Sequence, residues 1–283
     1  MSLRWNFKAS FDNLISCKNK KADIYFKIKQ FYQDGRITFC ASTPWGEFSS
    51  SPKLHAGYNI YNLLLSLPYY YSMTSDCSGF FSAVEEITLP VGRLQTVGRE
   101  NIFIDFAHTP DALLKSLKAL KSDRKDNITV VFGCGGDRDF KKRSIMGKIA
   151  EKYSDKIYLT DDNPRYEEPS LIRKEIKKGI KTKVYEISDR KKAINKAVQD
   201  LNTGDILLVA GKGHEKFQDF GKKKLFFSDS QVILKSIKLK NKFLSKNLKL
   251  NIIKEQSNSK ISNKLLIKNI SINSKNIKKN DIF

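Results

Sequence analysis

Apolar and polar positions alternate regularly over the second half of the chain. Four short apolar runs occur at residues 128–133, 156–160, 183–187 and 205–210. Three stretches in which apolar residues recur every three or four positions separate them, at residues 142–153, 170–180 and 191–201. Short apolar runs between turns are typical of buried strands, and the periodicity between them is typical of helices on a sheet. The pattern predicts an α/β fold with a mostly parallel sheet, whose functional site lies at the carboxyl ends of the strands.

The first part of the chain gives a weaker pattern. Residues 1–38 show little periodicity and are predicted to be irregular, whereas residues 37–48 are strand-like around a Pro-Trp-Gly turn. A helix is predicted to run into the leucines at 63–65, and on such a helix Asn59 and Asn62 share one face because they are three residues apart. One interpretation of these asparagines is that they cap the start of the helix.

The composition changes after about Lys235. Lys, Asn, Ser and Ile dominate this last segment, and neither glycine nor proline occurs after Gly221. We therefore predict a linker here rather than a continuation of the α/β fold.

Two loops that follow neighbouring predicted strands carry the most informative side chains. The first is the turn 133–139, Gly-Cys-Gly-Gly-Asp-Arg-Asp, and the second is the run 161–165, Asp-Asp-Asn-Pro-Arg. A glycine-rich turn before a helix exposes backbone N–H groups. Arg138 and Arg165 each offer a planar fork to a carboxylate, while Asp162 can accept from an ammonium group. The pattern indicates a site for a small zwitterion, and the alternative is an ordinary βαβ unit with polar loop ends.

Two further turns combine structural and functional residue types. Residues 101–111 predict a strand, a turn and a helix start, with Thr109 as the N-cap and Pro110 at the first helical position. Within this segment Asp105 and His108 suit either a capped turn or a functional role. A second loop, Gly-Lys-Gly-His-Glu at 211–215, is either a tight turn or part of a site, since it follows the last predicted strand of the sheet.

Composition limits the remaining possibilities. The chain has 283 residues, 40% of them hydrophobic, which is enough for one large or two medium domains. Its formal net charge of +22 is spread along the chain, so we interpret it as a compositional bias and expect no nucleic-acid partner. The four cysteines lack C-x-x-C spacing, so neither a zinc site nor a disulfide framework is expected. Because no 18-residue apolar segment occurs, we expect a cytoplasmic protein without membrane contact. A monomer is expected as well.

The motifs at 135–139, 162–165 and 211–215, in this order, resemble those of the C-terminal domain of the Mur ligases. Pro90-Val91-Gly92-Arg93 is similar to the hinge of that family, although this chain has Gln95 where the family has a glutamate. The resemblance covers residues from about 39 to 235. It implies a Rossmann-like, mostly parallel sheet preceded by the end of a central ATPase domain.

The same resemblance implies three segments in the chain. Residues 1–92 would be a remnant of the central domain, and residues 93–239 would be the C-terminal domain. Residues 240–283 would be a basic linker or the truncated start of a following Mur ligase N-terminal domain. For the end at 270–283, where Asn273 and Lys275 stand in place of the family's Asp and Arg, the alternatives are a fused, broken start of a further ligase and an unrelated tail.

Individual residues also receive roles from the resemblance. The Asp-Asn-Pro-Arg run is typical of Mur ligases that select diaminopimelate over lysine. Binding of meso-2,6-diaminopimelate would fall to Arg138, Asp162, Asn163, Pro164, Arg165, Gly211 and Glu215. Binding of the nucleotide would fall to Asn59, Asn62, Arg93, Asp105 and His108. No catalytic residue and no metal ligand is assigned to this chain.

The reaction implied by the resemblance is ligation of diaminopimelate to UDP-N-acetylmuramoyl-L-alanyl-D-glutamate in peptidoglycan precursor synthesis, with ATP and Mg²⁺ as cofactors. The sequence contains no G-x-x-x-x-G-K-[ST] loop, the element that would hold the ATP phosphates. We therefore expect either an incomplete copy of the ligase or a non-catalytic remnant that at most binds diaminopimelate.

Overall fold

A computed structural model of the chain describes residues 14–32, 34–121, 126–258, 269–270 and 281–282. The chain divides into two compact units, Met1–Ile233 and Leu234–Phe283, and both clefts described below belong to the first. Among the helices in these residues, none is long and apolar enough to cross a membrane.

A four-stranded sheet forms the start of the first unit. Its strands, in spatial order, are β1 (Ile15–Ser16), β2 (Ile24–Phe31), β3 (Ile37–Thr43) and β4 (Gly46–Ser50). The β1–β2 pair is parallel and the other pairs are antiparallel. Strands β3 and β4 confirm the strand prediction around the Pro-Trp-Gly turn. The prediction of irregular structure for residues 1–38 was wrong for β2, where Ile24 and Phe26 alternate with polar or exposed neighbours and reach the core.

Helix α1 (Gly57–Thr74) packs its leucines on this sheet and is followed by α2 (Ser78–Ala83) and a 3₁₀ turn at Val84–Glu86. Its N-cap is Ala56, which makes no side-chain capping bond. Asn59 is inside the helix, and its Nδ2 donates to the Leu54 carbonyl at 2.9 Å, while Asn62 Nδ2 donates to Asn59 Oδ1 at 3.4 Å. The asparagines therefore fix the entry into the helix without acting as its cap.

A six-stranded sheet follows, and it confirms the predicted α/β architecture. In chain order its strands are β5 (Gln95–Val97), β6 (Arg99–Asp105), β7 (Ile128–Phe132), β8 (Lys156–Leu159), β9 (Tyr185–Glu186) and β10 (Ile206–Ala210). The helices between them are α3 (Pro110–Lys121), α4 (Lys141–Tyr153), α5 (Pro169–Lys177) and α6 (Arg190–Asp200). Only the β5–β6 pair is antiparallel within this sheet. Thr109 Oγ1 accepts from the Ala112 N–H at 3.3 Å, which matches its predicted place before α3.

The spatial order of the sheet is β5-β6-β10-β7-β8-β9, so the last strand in the chain lies between two earlier ones. Leu208 of β10 is in register with Phe103 of β6 on one side and with Val130 of β7 on the other. All three strands are parallel, and their carboxyl ends therefore open at the same edge. Ligands of such sheets bind at the point where the strand order reverses, and here that point lies beside β10.

The remaining elements were only partly visible in the sequence. A hairpin of β11 (Phe217–Asp219) and β12 (Lys224–Phe226) precedes helix α7 (Asp229–Asn258). The segment predicted to be a linker after Lys235 is thus helical as far as Asn258. Further on, β13 (Asn269–Ile270) pairs in parallel with β14 (Asp281–Ile282), and Asn273 and Lys275 lie outside the described residues.

Candidate functional site

A cleft of about 540 Å³ opens at the carboxyl edge of the six-stranded sheet. Six of the seven residues predicted to bind diaminopimelate line it: Arg138, Asp162, Asn163, Arg165, Gly211 and Glu215. Pro164, the seventh, is not among the lining residues. His108, predicted to serve the nucleotide, lines this cleft as well. The structure therefore brings the three loops of the sequence motifs to one place.

The glycine-rich turn and the loop after β8 lie in direct contact along one wall of the cleft. The Gly136 N–H donates to the Asn163 carbonyl at 2.9 Å, and a Cβ at Gly136 would lie 1.9 Å from the Pro164 carbonyl oxygen. Only glycine allows this approach, since real Cβ atoms essentially never come within 3.0 Å of such an atom. Pro164 thus packs against the glycine-rich turn and supports the wall of the cleft.

A buried arginine holds the two loops together from behind. Arg143 of α4 is 2% exposed, and its Nη1 and Nη2 donate to the two carboxylate oxygens of Glu167 at 2.8 Å each. Its Nη1 also bonds Glu175 at 2.7 Å, and its Nη2 bonds the Gly135 carbonyl at 3.2 Å. The hydrogen bonds from Arg143 lower the pKa of Glu167, although burial acts in the opposite direction. This pairing fixes the turn that presents Arg138.

Asp162 forms the floor of the cleft. It is buried, and in the described part of the chain its Oδ2 has no hydrogen-bond partner. The nearest cation is Arg190, whose Nη1 is 3.8 Å away, and a Cβ at Gly211 would lie 2.6 Å from Oδ2. Burial raises the pKa of the Asp162 carboxyl despite the attraction of Arg190 and Lys212. A buried carboxylate oxygen without a donor is costly unless a ligand supplies one.

A second carboxylate, Glu215, is held in place at the side of the cleft. Lys212 is fully buried, and its Nζ donates to Glu215 Oε2 at 2.8 Å, to Asn163 Oδ1 at 2.9 Å and to the Phe217 carbonyl. Asn163 Nδ2 also donates to Glu215 Oε2 at 2.9 Å. These hydrogen bonds lower the pKa of Glu215 in spite of its partial burial. Asn163 uses both ends of its amide within the protein, so its part is to position Glu215.

Two guanidinium groups stand at the rim above these carboxylates. Arg138 is exposed, and among the described residues no carboxylate lies within ion-pair distance of it. Arg165 donates from Nη1 to the Gly136 carbonyl at 2.6 Å, and its Nε is 3.9 Å from Asp219, which leaves part of its fork open to the cleft. The cleft thus combines a negative floor with a positive rim, as a ligand with adjacent ammonium and carboxylate groups requires.

Four of the residues predicted to bind the nucleotide line a second cleft of about 520 Å³: Asn59, Asn62, Arg93 and Asp105. Burial raises the pKa of Asp105, whose Oδ2 accepts from the Leu94 N–H at 2.6 Å and whose Oδ1 accepts from the Ser116 hydroxyl at 3.2 Å.

The turn that carries Arg93 is fixed by a neighbouring side chain. Gln95, which departs from the family pattern, accepts from the Gly92 N–H at 2.9 Å and thereby holds this turn. The guanidinium carbon of Arg93 lies 5.1 Å from the centre of the Phe106 ring, and Arg93 is exposed at the cleft.

Neither cleft contains a set of side chains suited to Mg²⁺. Within the residues that the structure describes, no group of three or more His, Cys, Asp or Glu side chains is close enough to hold a metal ion. Magnesium prefers several oxygen ligands in octahedral geometry. The described residues therefore do not form a Mg²⁺ site by themselves.

Sequence reasoning missed the three buried cations Arg143, Arg190 and Lys212. Lys212 stands inside the 211–215 motif, but its burial depends on Asn163 and Phe217. The carboxylates that accept hydrogen bonds from the two arginines lie 24 to 39 residues further along the chain. Only the tertiary fold shows which basic residues of this lysine-rich chain are buried.

The family described as "Mur ligase, glutamate ligase domain" matches residues 92–213, which contain the six-stranded sheet. The chain therefore carries a domain of the Mur ligase family.

Three similar proteins share one description. UDP-N-acetylmuramoyl-L-alanyl-D-glutamate--2,6-diaminopimelate ligase of Rickettsia bellii (strain RML369-C) is 48% identical over 174 residues, covering 60% of this chain and 37% of the relative. The protein of the same description from Wigglesworthia glossinidia brevipalpis is 39% identical over 241 residues, covering 82% and 49%. A solved structure with that description has a TM-score of 0.58 at 33% identity, covering 80% of this chain and 47% of that one. The chain spans less than half the length of these relatives.

Proposed function

We propose that this chain supplies the amino-acid-binding domain of a ligase that joins meso-2,6-diaminopimelate to UDP-N-acetylmuramoyl-L-alanyl-D-glutamate in peptidoglycan precursor synthesis. The observation that carries the proposal is Asp162, whose buried Oδ2 lacks a donor at the floor of a cleft with guanidinium groups at its rim. An ammonium group of the ligand would supply the donor to Asp162. The carboxylate beside that ammonium would reach Arg138 and Arg165.

The charges around the cleft floor support a cationic group on the ligand. Two ion-paired groups, Arg190 with Asp162 and Asp229 and Lys212 with Glu215, form a cluster because all of these charges act on Asp162. With all five groups ionised the cluster carries one net negative charge, which one ammonium group neutralises. Buried charge is stable only when it is paired, so this cluster favours a ligand with a positive group.

Discrimination between diaminopimelate and lysine would depend on Arg165 at the rim of the cleft. Both ligands have an amine at the end distant from the reacting group, but only diaminopimelate has a carboxylate beside it. Arg165 would be left without that carboxylate when lysine is bound, and an unpaired polar group in a closed site disfavours the wrong ligand strongly. The proposal therefore includes selectivity for diaminopimelate.

The chemical step would require activation of a carboxylate of the UDP-linked substrate by ATP, followed by attack of the diaminopimelate amine. The residues of this chain would bind and orient that amine. The second cleft is the proposed nucleotide face, since Arg93 is exposed there and presents a guanidinium to an anionic ligand. Arg93→Ala is expected to weaken ATP binding in calorimetry, while Arg36→Ala, at an exposed arginine outside that cleft, should leave it unchanged.

The central test is calorimetry of the purified chain with meso-diaminopimelate, L-lysine and 2-aminopimelate, which keeps the distal carboxylate but lacks the distal amine. We expect diaminopimelate to bind more tightly than either analogue, and Asp162→Asn to remove its preference over 2-aminopimelate, the analogue that lacks the distal amine. The matched control is Asp205→Asn, at the opposite edge of the same sheet just before β10. Absence of diaminopimelate binding by the unaltered chain would contradict the proposal.

A second candidate function is binding of diaminopimelate without turnover. It is favoured by the absence of a G-x-x-x-x-G-K-[ST] loop from the sequence, because removal of a single hydrogen-bond donor that stabilises transition-state charge already costs ~10²–10³ in rate. An assay of the chain with ATP, the UDP-linked dipeptide and diaminopimelate separates the two. Formation of the tripeptide product supports the ligase, and calorimetric binding without product supports the binding domain.

A further inference from the structure

A buried ion pair lies directly behind the cleft floor. Arg190, the first residue of α6, donates from Nε and Nη2 to the two carboxylate oxygens of Asp229 at 2.8 Å each, and from Nη2 to the Ala210 carbonyl at 3.0 Å. Both side chains are completely buried. Asp229 is the first residue of α7, so the pair joins the starts of two helices beneath the strand that ends at the cleft.

The third nitrogen of the Arg190 guanidinium, Nη1, takes no part in the pair with Asp229. Within the described residues Arg190 Nη1 has no hydrogen-bond acceptor, and Asp162 Oδ2, 3.8 Å away, has no donor. The distance is too long for a hydrogen bond but short enough for strong attraction in a buried place. Arg190 therefore attracts the Asp162 anion without forming a hydrogen bond to it, and this attraction offsets part of the effect of burial.

We infer that Asp229 and Arg190 are positioning residues that set the specificity of the cleft: Asp229 holds the Arg190 fork away from Asp162, which keeps Asp162 available to a ligand ammonium group. This inference rests on the proposed function of the cleft. Without Asp229, the guanidinium would be free to form a two-bond pair with Asp162, and a ligand amine would have to compete with it. Without Arg190, the Asp162 anion would lose its nearest positive charge.

The charged and titratable groups around Asp162 determine the expected pH dependence. Arg190 faces it from α6, Lys212 and Glu215 from the loop after β10, Asp229 from α7 and the Cys134 thiol from the glycine-rich turn. Burial raises the pKa of Asp162, so the ligand-binding anion forms only as the pH rises through that raised pKa. Affinity for diaminopimelate should accordingly increase with pH and then reach a plateau.

The two substitutions should move this profile in opposite directions. In Asp229→Asn, Arg190 pairs fully with Asp162, so the midpoint should shift to lower pH while the plateau affinity falls by about tenfold, as expected when one charge-assisted contact is lost. In Arg190→Gln, the midpoint should shift to higher pH. Neither change should alter the affinity for 2-aminopimelate, because that ligand offers no distal amine to Asp162.

The experiment is calorimetry of the full chain and both variants from pH 4 to pH 8, with diaminopimelate and 2-aminopimelate as ligands and circular dichroism as the check of folding. Unchanged midpoints, or an equal loss of affinity for both ligands, would show a merely structural role and overturn the inference. If the unaltered chain fails to bind diaminopimelate at all, the proposed function fails. If it binds and Asp162→Asn removes the preference while the other two variants behave like the unaltered chain, only this inference fails.

A measurement on the unaltered chain tests the inference even if the variants do not fold. In NMR spectra, the guanidinium N–H resonances of Arg190 should show that its hydrogen bonds to Asp229 persist with and without diaminopimelate. The chemical shift of the Asp162 carboxyl carbon should change on binding. Transfer of the Arg190 hydrogen bonds from Asp229 to Asp162 in the bound state would overturn the inference.

Discussion

A Cβ atom at Gly211 would lie 2.6 Å from Oδ2 of Asp162, so the end of β10 is shaped around the carboxylate at the cleft floor. Gly211 also has a φ of +114°, a backbone conformation that residues with side chains rarely adopt. Two separate physical effects therefore require glycine at this position.

We predict that Gly211→Ala weakens diaminopimelate binding and lowers the free energy of unfolding by about 1–3 kcal/mol, since the methyl group displaces Asp162 and strains the backbone. Calorimetry and urea unfolding measure the two effects. Gly46→Ala is the control, because Gly46 has a φ of +128° but no atom within 4 Å of its added Cβ. Equal ligand affinity in the two variants would contradict the proposed contact with Asp162.

Replacement of Arg143 by methionine should destabilise the protein by about 2–3 kcal/mol. This is below the usual cost of breaking a buried pair because the side chains of Glu167 and Glu175 are 33% and 35% exposed. The control is Arg36→Met, whose ion pair with Asp34 is half-exposed and should be worth less than about 1 kcal/mol. Urea unfolding at neutral pH distinguishes them.

The ion pair between Arg143 and Glu167 makes the free energy of unfolding depend on pH in a predictable direction. Arg143 lowers the pKa of Glu167 in the folded protein, so the stabilisation is complete above the ordinary glutamate pKa of about 4.3 and is lost as the pH falls through the lower folded value. The stability difference between the unaltered chain and Arg143→Met should shrink in acid. A difference that stays constant from pH 7 to pH 3 would argue against the ionised pair.

Arg165→Lys tests whether the guanidinium group at the rim of the cleft binds the distal carboxylate of the ligand. Lysine keeps the positive charge but cannot make two parallel hydrogen bonds, so affinity for diaminopimelate should fall by about tenfold while affinity for L-lysine stays the same. Competition calorimetry with both ligands measures the ratio. Arg173→Lys, at a residue that pairs with Glu186 and Asp161 outside the cleft lining, serves as the control. Unchanged discrimination in Arg165→Lys would remove this residue from the proposed site.

Lys212→Met should be more harmful than its position in a surface-loop motif suggests. The change removes three hydrogen bonds from a fully buried ammonium group and leaves Glu215 with only Asn163, at an expected cost of about 2–4 kcal/mol. Lys216→Met, at an exposed lysine four residues further on, should change stability by less than about 0.5 kcal/mol. Similar unfolding midpoints for the two variants would show that the Lys212 contacts contribute little.

The centre of the six-stranded sheet was predictable because β7, β8 and β10 are almost completely buried and read as unbroken apolar runs. Strands β7, β8 and β10 begin and end within two residues of the predicted runs. Strand β2 was missed, since its alternation of Ile24, Phe26 and Ile28 is short and lies among lysines. The β11–β12 hairpin was also missed, because Phe217 and Phe226 pack edge to face on each other and remain exposed.

The sequence was sufficient to predict which loops form the candidate site, but not which side chains in them form hydrogen bonds and ion pairs with one another. The rule that functional loops lie at the carboxyl ends of parallel strands predicts from the sequence that Arg138, Asp162 and Glu215 lie together. It could not show that Asn163 and Pro164 act within the protein, or that Arg190 pairs with Asp229. Those contacts depend on the distances between loops, and no local pattern encodes them.

The place of β10 between β6 and β7 also bears on how the protein is made. A ribosome delivers β6 and β7 long before residues 206–210, yet these strands have no neighbour on their facing edges until β10 arrives. The final strand pairing therefore requires some seventy intervening residues to be made after β7. The cleft beside β10 cannot form before residues 206–210 are available to complete the sheet.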